Sequence, residues 1–239
     1  DASPVGPIRT KRFSKDSLHI IDELPAIDAV LLTHDHYDHL DFGSIRDLKQ
    51  KVTCFLVPLG VGRHLEHWGI DKYMITEVDW WQELQLFDLY FIFTPSRHFS
   101  GRGAFDRAKS LWGGWVIKSS KHSIYWSGDS GYDAHFKTIG EKYGPFDWGF
   151  IECGQYNERW HLIHMYPEDS VCAARDAKVI KAIPIHWGAF GLALHHWKEP
   201  ITRFVLEAEQ KQQAFLTPAP GAVINLDMNT SDSWWKSYE

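Results

Sequence analysis

The chain has 239 residues, of which 44% are hydrophobic and 23% are charged. This composition is typical of folded globular proteins and excludes disordered, collagen-like and coiled-coil chains. The formal net charge of −6 does not favour sequence-independent nucleic-acid binding, which needs clustered positive charge, so we expect no nucleic-acid partner. The three scattered cysteines, Cys54, Cys153 and Cys172, form neither a disulfide framework nor a CxxC zinc motif.

The ends and composition of the chain give a few expectations about its context. No segment has the pattern of a signal peptide, and no apolar run reaches the roughly 20 residues of a membrane helix. We therefore expect a cytoplasmic protein, and we leave open a peripheral contact with a membrane and a homodimer. Without a repeat or linker, residues 1–239 are expected to form a single domain. The chain starts at Asp1 rather than Met, which suggests processing or an N-terminally incomplete domain.

The predicted elements alternate between strands and helices after a weakly periodic arm over residues 1–26. Strands are predicted at Ile27–Thr33, Val52–Val57, Tyr73–Val78, Leu84–Thr94, Leu111–Lys118, Ser123–Trp126, Phe146–Glu152, Val179–Ile185 and Ala222–Leu226. Helices are predicted at Phe42–Gln50 with Asp41 as N-cap, Leu59–Trp68, Tyr132–Tyr143, Pro167–Lys178 and Pro200–Gln212. This alternation predicts an α/β fold. The adjacent central strands argue against a purely doubly wound parallel sheet.

The segment after the first predicted strand, THDHYDH, holds three histidines and two aspartates within six residues. In an extended loop, residues i and i+2 point to the same side, so His34 and His36 can bind one metal ion. If the loop then turns, Asp38 and His39 can face a second metal ion. Imidazole and carboxylate ligands suit zinc, with manganese and iron as alternatives.

Three further candidate ligands, His98, Asp129 and His186, each follow a predicted strand. Open α/β sheets place their sites at such strand ends. Asp129 lies between Gly128 and Gly131, and glycines allow unusual backbone angles and close approach. Each residue alone is weak evidence, since isolated residues of these types are more often turn or hydrogen-bonding residues. Together with the four residues of the first motif they make a set of seven ligands for two metals.

THDHYDH resembles the HxHxDH signature of the metallo-β-lactamase fold, and His98, Asp129 and His186 match its later ligand positions. The resemblance implies an αββα sandwich with a dinuclear site at one edge, and we expect this chain to lack the strands with which such folds begin. It also implies how the ligands divide. One zinc ion would take His34, His36, His98 and Asp129. The other would take Asp38, His39, His186 and the bridging Asp129.

The stretches ASPVGP, ELPAIDAVLLTHDHYDHLD, FTPSRHFSGRG, GDSGY, HMYPEDSV and IHWGAFGLA are similar to one branch of this fold. That branch contains N-acylphosphatidylethanolamine-hydrolysing phospholipase D and its bacterial relatives. The similarity runs from about Ala2 to Pro200 and includes the 22-residue step from His164 to His186. It implies a phospholipid substrate and a substrate-facing role for His164. A histidine of ordinary pKa can donate a proton to a leaving oxygen; a satisfied loop histidine is the alternative.

The predicted function is that of a dinuclear zinc-dependent hydrolase, most simply a phosphodiesterase using a metal-bridging hydroxide. Asp129, His164 and Asp38 are its candidate catalytic residues. There is no GxSxG elbow, P-loop or GxGxxG pattern to support another mechanism. The main alternative is a lactonase or carboxylic-ester hydrolase that acts on a small phosphorylated substrate. A nuclease and a protein with purely structural zinc are weaker alternatives.

Several other polar residues have two interpretations at this stage. Asp35 could orient a ligand imidazole or be exposed to solvent. Arg97 and Arg102 could attract an anionic substrate or be solvated loop charges. Tyr132 and the segment His195–Trp197 could border the substrate pocket, with packing or a surface turn as the alternative.

Overall fold

The computed structural model describes residue 10, residues 12–13, 20–225, 227–228 and 232–238. Its helices are α1 (Ile20–Glu23), α2 (Phe42–Leu48), α3 (Gly62–His67), α4 (His135–Tyr143), α5 (Pro167–Asp176) and α6 (Glu199–Gln210). Its strands are β1 (Ile27–Leu31), β2 (Val52–Pro58), β3 (Ile75–Val78), β4 (Glu83–Leu86), β5 (Leu89–Thr94), β6 (Gly114–Lys118), β7 (Ser123–Trp126), β8 (Phe146–Glu152) and β9 (Val179–Ile185). Two 3₁₀ turns cover Lys72–Met74 and Trp234–Ser237.

The strands form two sheets. The first is parallel, with the order β1-β2-β3. The second has the order β4 to β9, antiparallel from β4 to β7 and parallel from β7 to β9. The parallel pairs are connected through helices, as parallel pairing requires a crossover. Among the antiparallel pairs, β4–β5 and β6–β7 are joined by short turns, and β5–β6 by the long loop over residues 95–113.

The alternation of side chains along the strands builds the layers. In β2, Phe55 and Val57 pack with residues of α2 and α3, whereas Leu56 lies in the cluster between the two sheets. In β5, Phe91 and Phe93 share that central cluster, whereas the intervening Ile92 packs in a cluster with α4, α5 and α6. Because neighbouring strand residues face opposite sides, each sheet packs one face against helices and the opposite face against the other sheet. The predicted αββα sandwich is confirmed.

Two predicted strands differ from the structure in kind, and two others start later than predicted. The latter are β3, which begins at Ile75 after the 3₁₀ turn, and β6, which begins at Gly114. The run Leu84–Thr94 is a hairpin of β4 and β5, because Phe87 and Asp88 both adopt positive φ, 54° and 58°, and turn the chain. Two consecutive left-handed residues are the geometry of a type I′ turn, which normally uses Asn and Gly. Residues 222–225 carry no strand, and Leu226 lies outside the described residues, as do residues 2–7 of the ASPVGP segment.

The sheet directions bring several strand ends to one edge. Strands β5, β7, β8 and β9 run in the same direction, so their carboxyl ends meet there. The loop after β1 is tied to the second sheet, since the Trp115 indole N–H donates to the Leu32 carbonyl at 2.8 Å and the Gly113 amide donates to the Thr33 carbonyl at 3.0 Å. Within the described part of the chain, no helix combines the length and the apolar character needed to cross a membrane.

Candidate metal centre

The seven candidate ligands converge at this edge. The loop after β1 supplies His34, His36, Asp38 and His39, and the segments after β5, β7 and β9 supply His98, Asp129 and His186. The turn expected after the first histidines is present, because the amides of His39 and Leu40 both donate to the carbonyl of His36. Asp41 then caps α2 by accepting from the Ser44 amide at 2.8 Å, as predicted.

Three imidazoles form the first group. His34 Nε2 and His98 Nε2 lie 3.1 and 3.2 Å from His36 Nδ1. The Nδ1 of His98 contacts the Ile163 carbonyl at 3.0 Å. A carbonyl oxygen only accepts, so this nitrogen carries the proton and the Nε2 lone pair of His98 points into the group. Burial lowers the pKa of His34, His36 and His98, which favours neutral imidazoles with free lone pairs.

Two imidazoles and two carboxylates form the second group. Nε2 of His39 and Nε2 of His186 are 3.3 Å apart, and each lies 3.3 Å from Asp38 Oδ2. Asp129 Oδ2 lies 3.1 Å from the His39 nitrogen and 3.4 Å from the His186 nitrogen. The same oxygen lies 3.8 Å from both His34 Nε2 and His98 Nε2 of the first group. Asp129 therefore stands between the two groups.

These distances fit two divalent metal ions. A tetrahedral centre with bonds of about 2.0–2.1 Å has neighbouring ligand atoms about 3.3–3.4 Å apart. These contacts within the two groups are 3.1–3.4 Å long, whereas Asp129 lies 3.8 Å from two nitrogens of the first group. Nitrogen and carboxylate oxygen without thiolate is a donor set suited to zinc, manganese or iron.

The charges of the second group also call for a cation. Burial disfavours the ionised Asp129, yet His186 and His39 hold its pKa well below the usual range. Burial likewise disfavours protonation of His39, but Asp129 and Asp38 raise its pKa to about 9. The two carboxylates thus need positive charge beside them, which imidazolium protons provide without a metal ion and a divalent ion provides more directly.

Glu152 is a site residue that the sequence analysis missed. It ends β8, is fully buried, and accepts hydrogen bonds from the Ser130 amide, from His164 Nδ1 and, at 3.2 Å, from His186 Nδ1. It therefore contacts one candidate ligand and the residue next to another. A carboxylate at the end of an otherwise apolar strand, before Cys153, was the available signal.

His164 lies beside the metal centre and lines the same cavity. Its ring is 4.9 Å from the His98 ring and 5.6 Å from the His186 ring, between centroids. Burial opposes its protonation, but Glu152 raises the pKa of His164 above its ordinary value. Because Glu152 engages Nδ1, Nε2 is the nitrogen left for a substrate.

The cavity in front of the centre has a volume of about 310 Å³. Polar groups of the centre form one part of its wall, and apolar side chains form most of the rest. The lining residues are His36, Asp38, Asp129, His164, His186, Gln155, Phe99, Trp160, Ile163 and Leu192. A cavity of this size with a polar region and apolar walls suits a substrate with both polar and apolar parts.

The contacts in the structure distinguish between the two interpretations that the sequence left open for several residues. Asp35 is fully buried and accepts from the Gly101 amide at 2.7 Å and from Ser110 Oγ at 2.8 Å, so it fixes the loop after His98 rather than lying in solvent. Arg102 Nη1 donates to the carbonyls of Asp35 and Leu40, which makes it a support of the histidine loop.

Arg97, Tyr132 and the segment His195–Trp197 are not among the residues that line this cavity. Arg97 pairs with Asp133 at 3.3 Å, and the Tyr132 hydroxyl donates to Asp176 at 2.6 Å. The ring of His195 stacks on Tyr156 at 4.3 Å between centroids. These contacts favour a loop charge for Arg97, packing for Tyr132, and a structural rather than a pocket-lining position for His195.

The sandwich and the convergence of imidazoles and carboxylates at its edge define a metallo-hydrolase domain. The chain belongs to the family described as the beta-lactamase superfamily domain, which matches residues 1–187. The solved structure of Igni18, a metallo hydrolase from Ignicoccus hospitalis, has the same fold. Its TM-score is 0.69 at 19% identity, covering 88% of this chain and 84% of that one.

Two curated proteins show the sequence relationship. An uncharacterized protein of Mycobacterium tuberculosis is 41% identical over 218 residues, covering 89% of this chain and 58% of that protein. N-acyl-phosphatidylethanolamine-hydrolyzing phospholipase D 1 of Caenorhabditis elegans is 30% identical over 221 residues, covering 85% of this chain and 62% of that protein. The chain thus spans about three fifths of the length of these curated relatives.

Proposed function

We propose that this protein is a dinuclear zinc-dependent phosphodiesterase that hydrolyses N-acylphosphatidylethanolamine or a closely similar phospholipid. The observation that carries the proposal is the pair of ligand groups with Asp129 between them, at the wall of a cavity with apolar sides. The similarity to the nematode phospholipase D, which extends over 85% of this chain, supports the same bond and the same substrate class.

The proposed metal ligands are the seven residues named from the sequence. His34, His36 and His98 would hold one ion, Asp38, His39 and His186 the other, and Asp129 would bridge them. When bound, two such ions polarise a phosphoryl group and supply the nucleophile by lowering the pKa of water. Zinc is the proposed metal, with manganese and iron as the alternatives that the same donor atoms accept.

The chain's own residues would then bind and protonate the substrate. Asp129 and Asp38 would hold the two ions at the cavity wall, where the substrate phosphate would bind. His164, oriented by Glu152, would donate a proton from Nε2 to the leaving oxygen of the phosphodiester. Phe99, Trp160 and Leu192 would hold the hydrocarbon next to the reacting group and exclude water from it.

The cavity lining favours a lipid over a small phosphorylated lactone. A lactonase acting on a sugar phosphate would be expected to bind the phosphate of its substrate with cationic side chains. Among the residues that the structure places around this cavity there is no lysine or arginine. The nearby Arg97 and Arg102 are engaged by Asp133 and by loop carbonyls.

The phospholipid is the proposed partner of the site. Leu162 and Leu194, which are 50% and 83% exposed, lie in the loops that carry the lining residues Trp160 and Leu192. Exposed leucines near a lipid-binding cavity would suit a peripheral contact with a membrane. The homodimer, the cytoplasmic location and the single domain stay predictions.

Hydrolysis of N-acylphosphatidylethanolamine in detergent by the zinc-loaded protein tests the proposal. We expect metal-dependent release of phosphatidate, because cleavage on the head-group side leaves the phosphate on the lipid. The matched assay offers a phosphorylated sugar lactone under the same conditions. If the protein binds two metal ions and hydrolyses the lactone but releases no phosphatidate, the proposed phosphodiesterase activity is wrong and a lactonase activity takes its place.

His164→Gln separates the cavity histidine from the metal centre. We expect hydrolysis to fall by about 100-fold or more, which is the usual loss when a general acid is removed, while bound metal stays unchanged. Bound metal is measured by elemental analysis, alongside the kinetics. His161→Gln, an exposed neighbour whose ring contacts the Glu158 carbonyl, is the control and should keep full activity. Loss of metal from His164→Gln would contradict the assigned role.

A further inference from the structure

Glu152 is a buried carboxylate with an unusual set of donors. It is fully inaccessible to solvent, and a buried ionised carboxylate is costly unless several hydrogen bonds satisfy it. One oxygen, Oε2, accepts from the Ser130 amide, and the other, Oε1, accepts from His164 Nδ1 and His186 Nδ1. All three donors belong to the site or are next to it.

The carboxylate determines which nitrogens of the two histidines carry protons. An ionised carboxylate has acceptors only, so both Nδ1 atoms must donate. Nε2 of His186 is then directed at the second ligand group, where Asp38 and Asp129 lie within 3.3 and 3.4 Å. Nε2 of His164 is left facing the substrate side. A carboxylate behind a ligand imidazole fixes its tautomer and ring orientation in this way.

One oxygen atom aligns both rings. The planes of His164 and His186 are inclined by only 14°, with centroids 5.6 Å apart, as expected for two rings that donate side by side to Oε1. The second oxygen holds the amide of Ser130, the residue after the bridging Asp129. A displacement of Glu152 would therefore affect the metal centre and the cavity histidine together.

We propose that Glu152 is a positioning residue that keeps His186 directed at the metal centre and His164 directed at the substrate. The substrate-facing part rests on the proposed function, whereas the metal-facing part does not. Glu152 does not itself line the cavity, and its contacts with the cavity wall are those with His164 and His186, so we infer that it acts through these two imidazoles.

A matched control lies on the same strand. Asp147, near the other end of β8, also accepts from a backbone amide, that of Ser123, at 2.7 Å. It also lies near the exposed His122, at 3.8 Å, but it touches no candidate ligand. Asp147→Asn thus measures how metal affinity and activity respond when a hydrogen-bonding carboxylate on β8 is changed away from the site.

The test compares Glu152→Gln with Asp147→Asn. The Gln side chain keeps the shape of Glu, but its amide nitrogen donates, so it cannot accept from all three donors. We expect metal affinity and kcat each to fall by about 10–100-fold for Glu152→Gln, the usual loss for a residue that orients a ligand. Nitrogen-15 NMR of the imidazoles should show a changed tautomer for His164 or His186. Asp147→Asn should change neither.

Specific results with the Glu152 variants would overturn the proposed positioning role. Unchanged metal affinity and unchanged imidazole spectra in Glu152→Gln would overturn it, whatever the activity on phospholipid. If Glu152→Gln does not fold, Glu152→Asp is measured instead, since its shorter carboxylate keeps the charge but cannot reach both rings. Metal affinity equal to that of the unmodified protein in this variant would also overturn the proposal. Metal titration and NMR need no substrate, so a failure of the phosphodiesterase assay remains a separate result.

Discussion

Asp129→Asn is expected to lower hydrolysis by about 1000-fold or more, because each tenfold loss corresponds to about 1.4 kcal/mol and a missing bridge removes several kcal/mol of charge stabilisation. Its carboxylate oxygen lies 3.1–3.8 Å from four candidate ligand nitrogens, so it is common to both groups. The amide of Asn carries no negative charge and offers one acceptor oxygen, so it cannot compensate two divalent ions.

Elemental analysis of bound metal and the phosphatidate assay measure the effect. We expect fewer than two metal ions per chain in Asp129→Asn. Asp133→Asn is the matched control, because this aspartate is four residues away and half exposed and pairs with Arg97 instead of the site. It should retain both metal and activity. A full metal complement with full activity in Asp129→Asn would exclude the bridging role.

Removal of metal is expected to lower the melting temperature by about 8–16 °C. An ion present at about 1000 times its Kd stabilises the folded state by about 4 kcal/mol, and each kcal/mol shifts the midpoint of a chain of this size by about 2–4 °C. The centre would connect the loop after β1 with residues after β5, β7 and β9, and thus the two sheets. Without the ion, Asp38 and Asp129 depend on imidazolium protons for compensation.

Thermal unfolding with and without a chelator measures this stabilisation. A chelator already saturated with zinc is the control for effects unrelated to metal removal and should leave the midpoint unchanged. The Asp129→Asn protein should show a smaller shift, because it has less metal to lose. Equal midpoints for the metal-loaded and chelated protein would contradict a tight metal centre.

Most secondary structure followed from local patterns. Strands β8 and β9 begin and end at the predicted residues, and Asp41 caps α2 as expected. The hairpin within Leu84–Thr94 was not predicted, because its turn at Phe87 and Asp88 lacks glycine and interrupts no polar pattern. A turn made by non-glycine residues at positive φ is stabilised by strand pairing, which a local pattern does not contain.

The candidate ligands were easier to predict than the residues that support them. His34, His36, Asp38 and His39 are close together in sequence, and a repeated spacing of metal-binding residue types is a strong local signal. Asp35 was considered as an acceptor for a ligand imidazole or as solvent-exposed, whereas its donors are Gly101 and Ser110, 66 and 75 residues away. A single buried carboxylate has no spacing to identify it, so Glu152 was missed.

By itself, the sequence determined the class of protein, a metal-dependent hydrolase, since the HxHxDH motif with later histidines and an aspartate predicts nitrogen and oxygen ligands for metal. It also determined the alternation of elements that leads to the αββα sandwich. Only the tertiary structure decided that Asp129 lies between both groups and that Glu152 aligns His164 with His186. It also showed that Arg97 and Arg102 are engaged elsewhere and are not among the residues that line the cavity. These are distances between residues far apart in the chain, and they are set by how the sheets pack rather than by any local pattern.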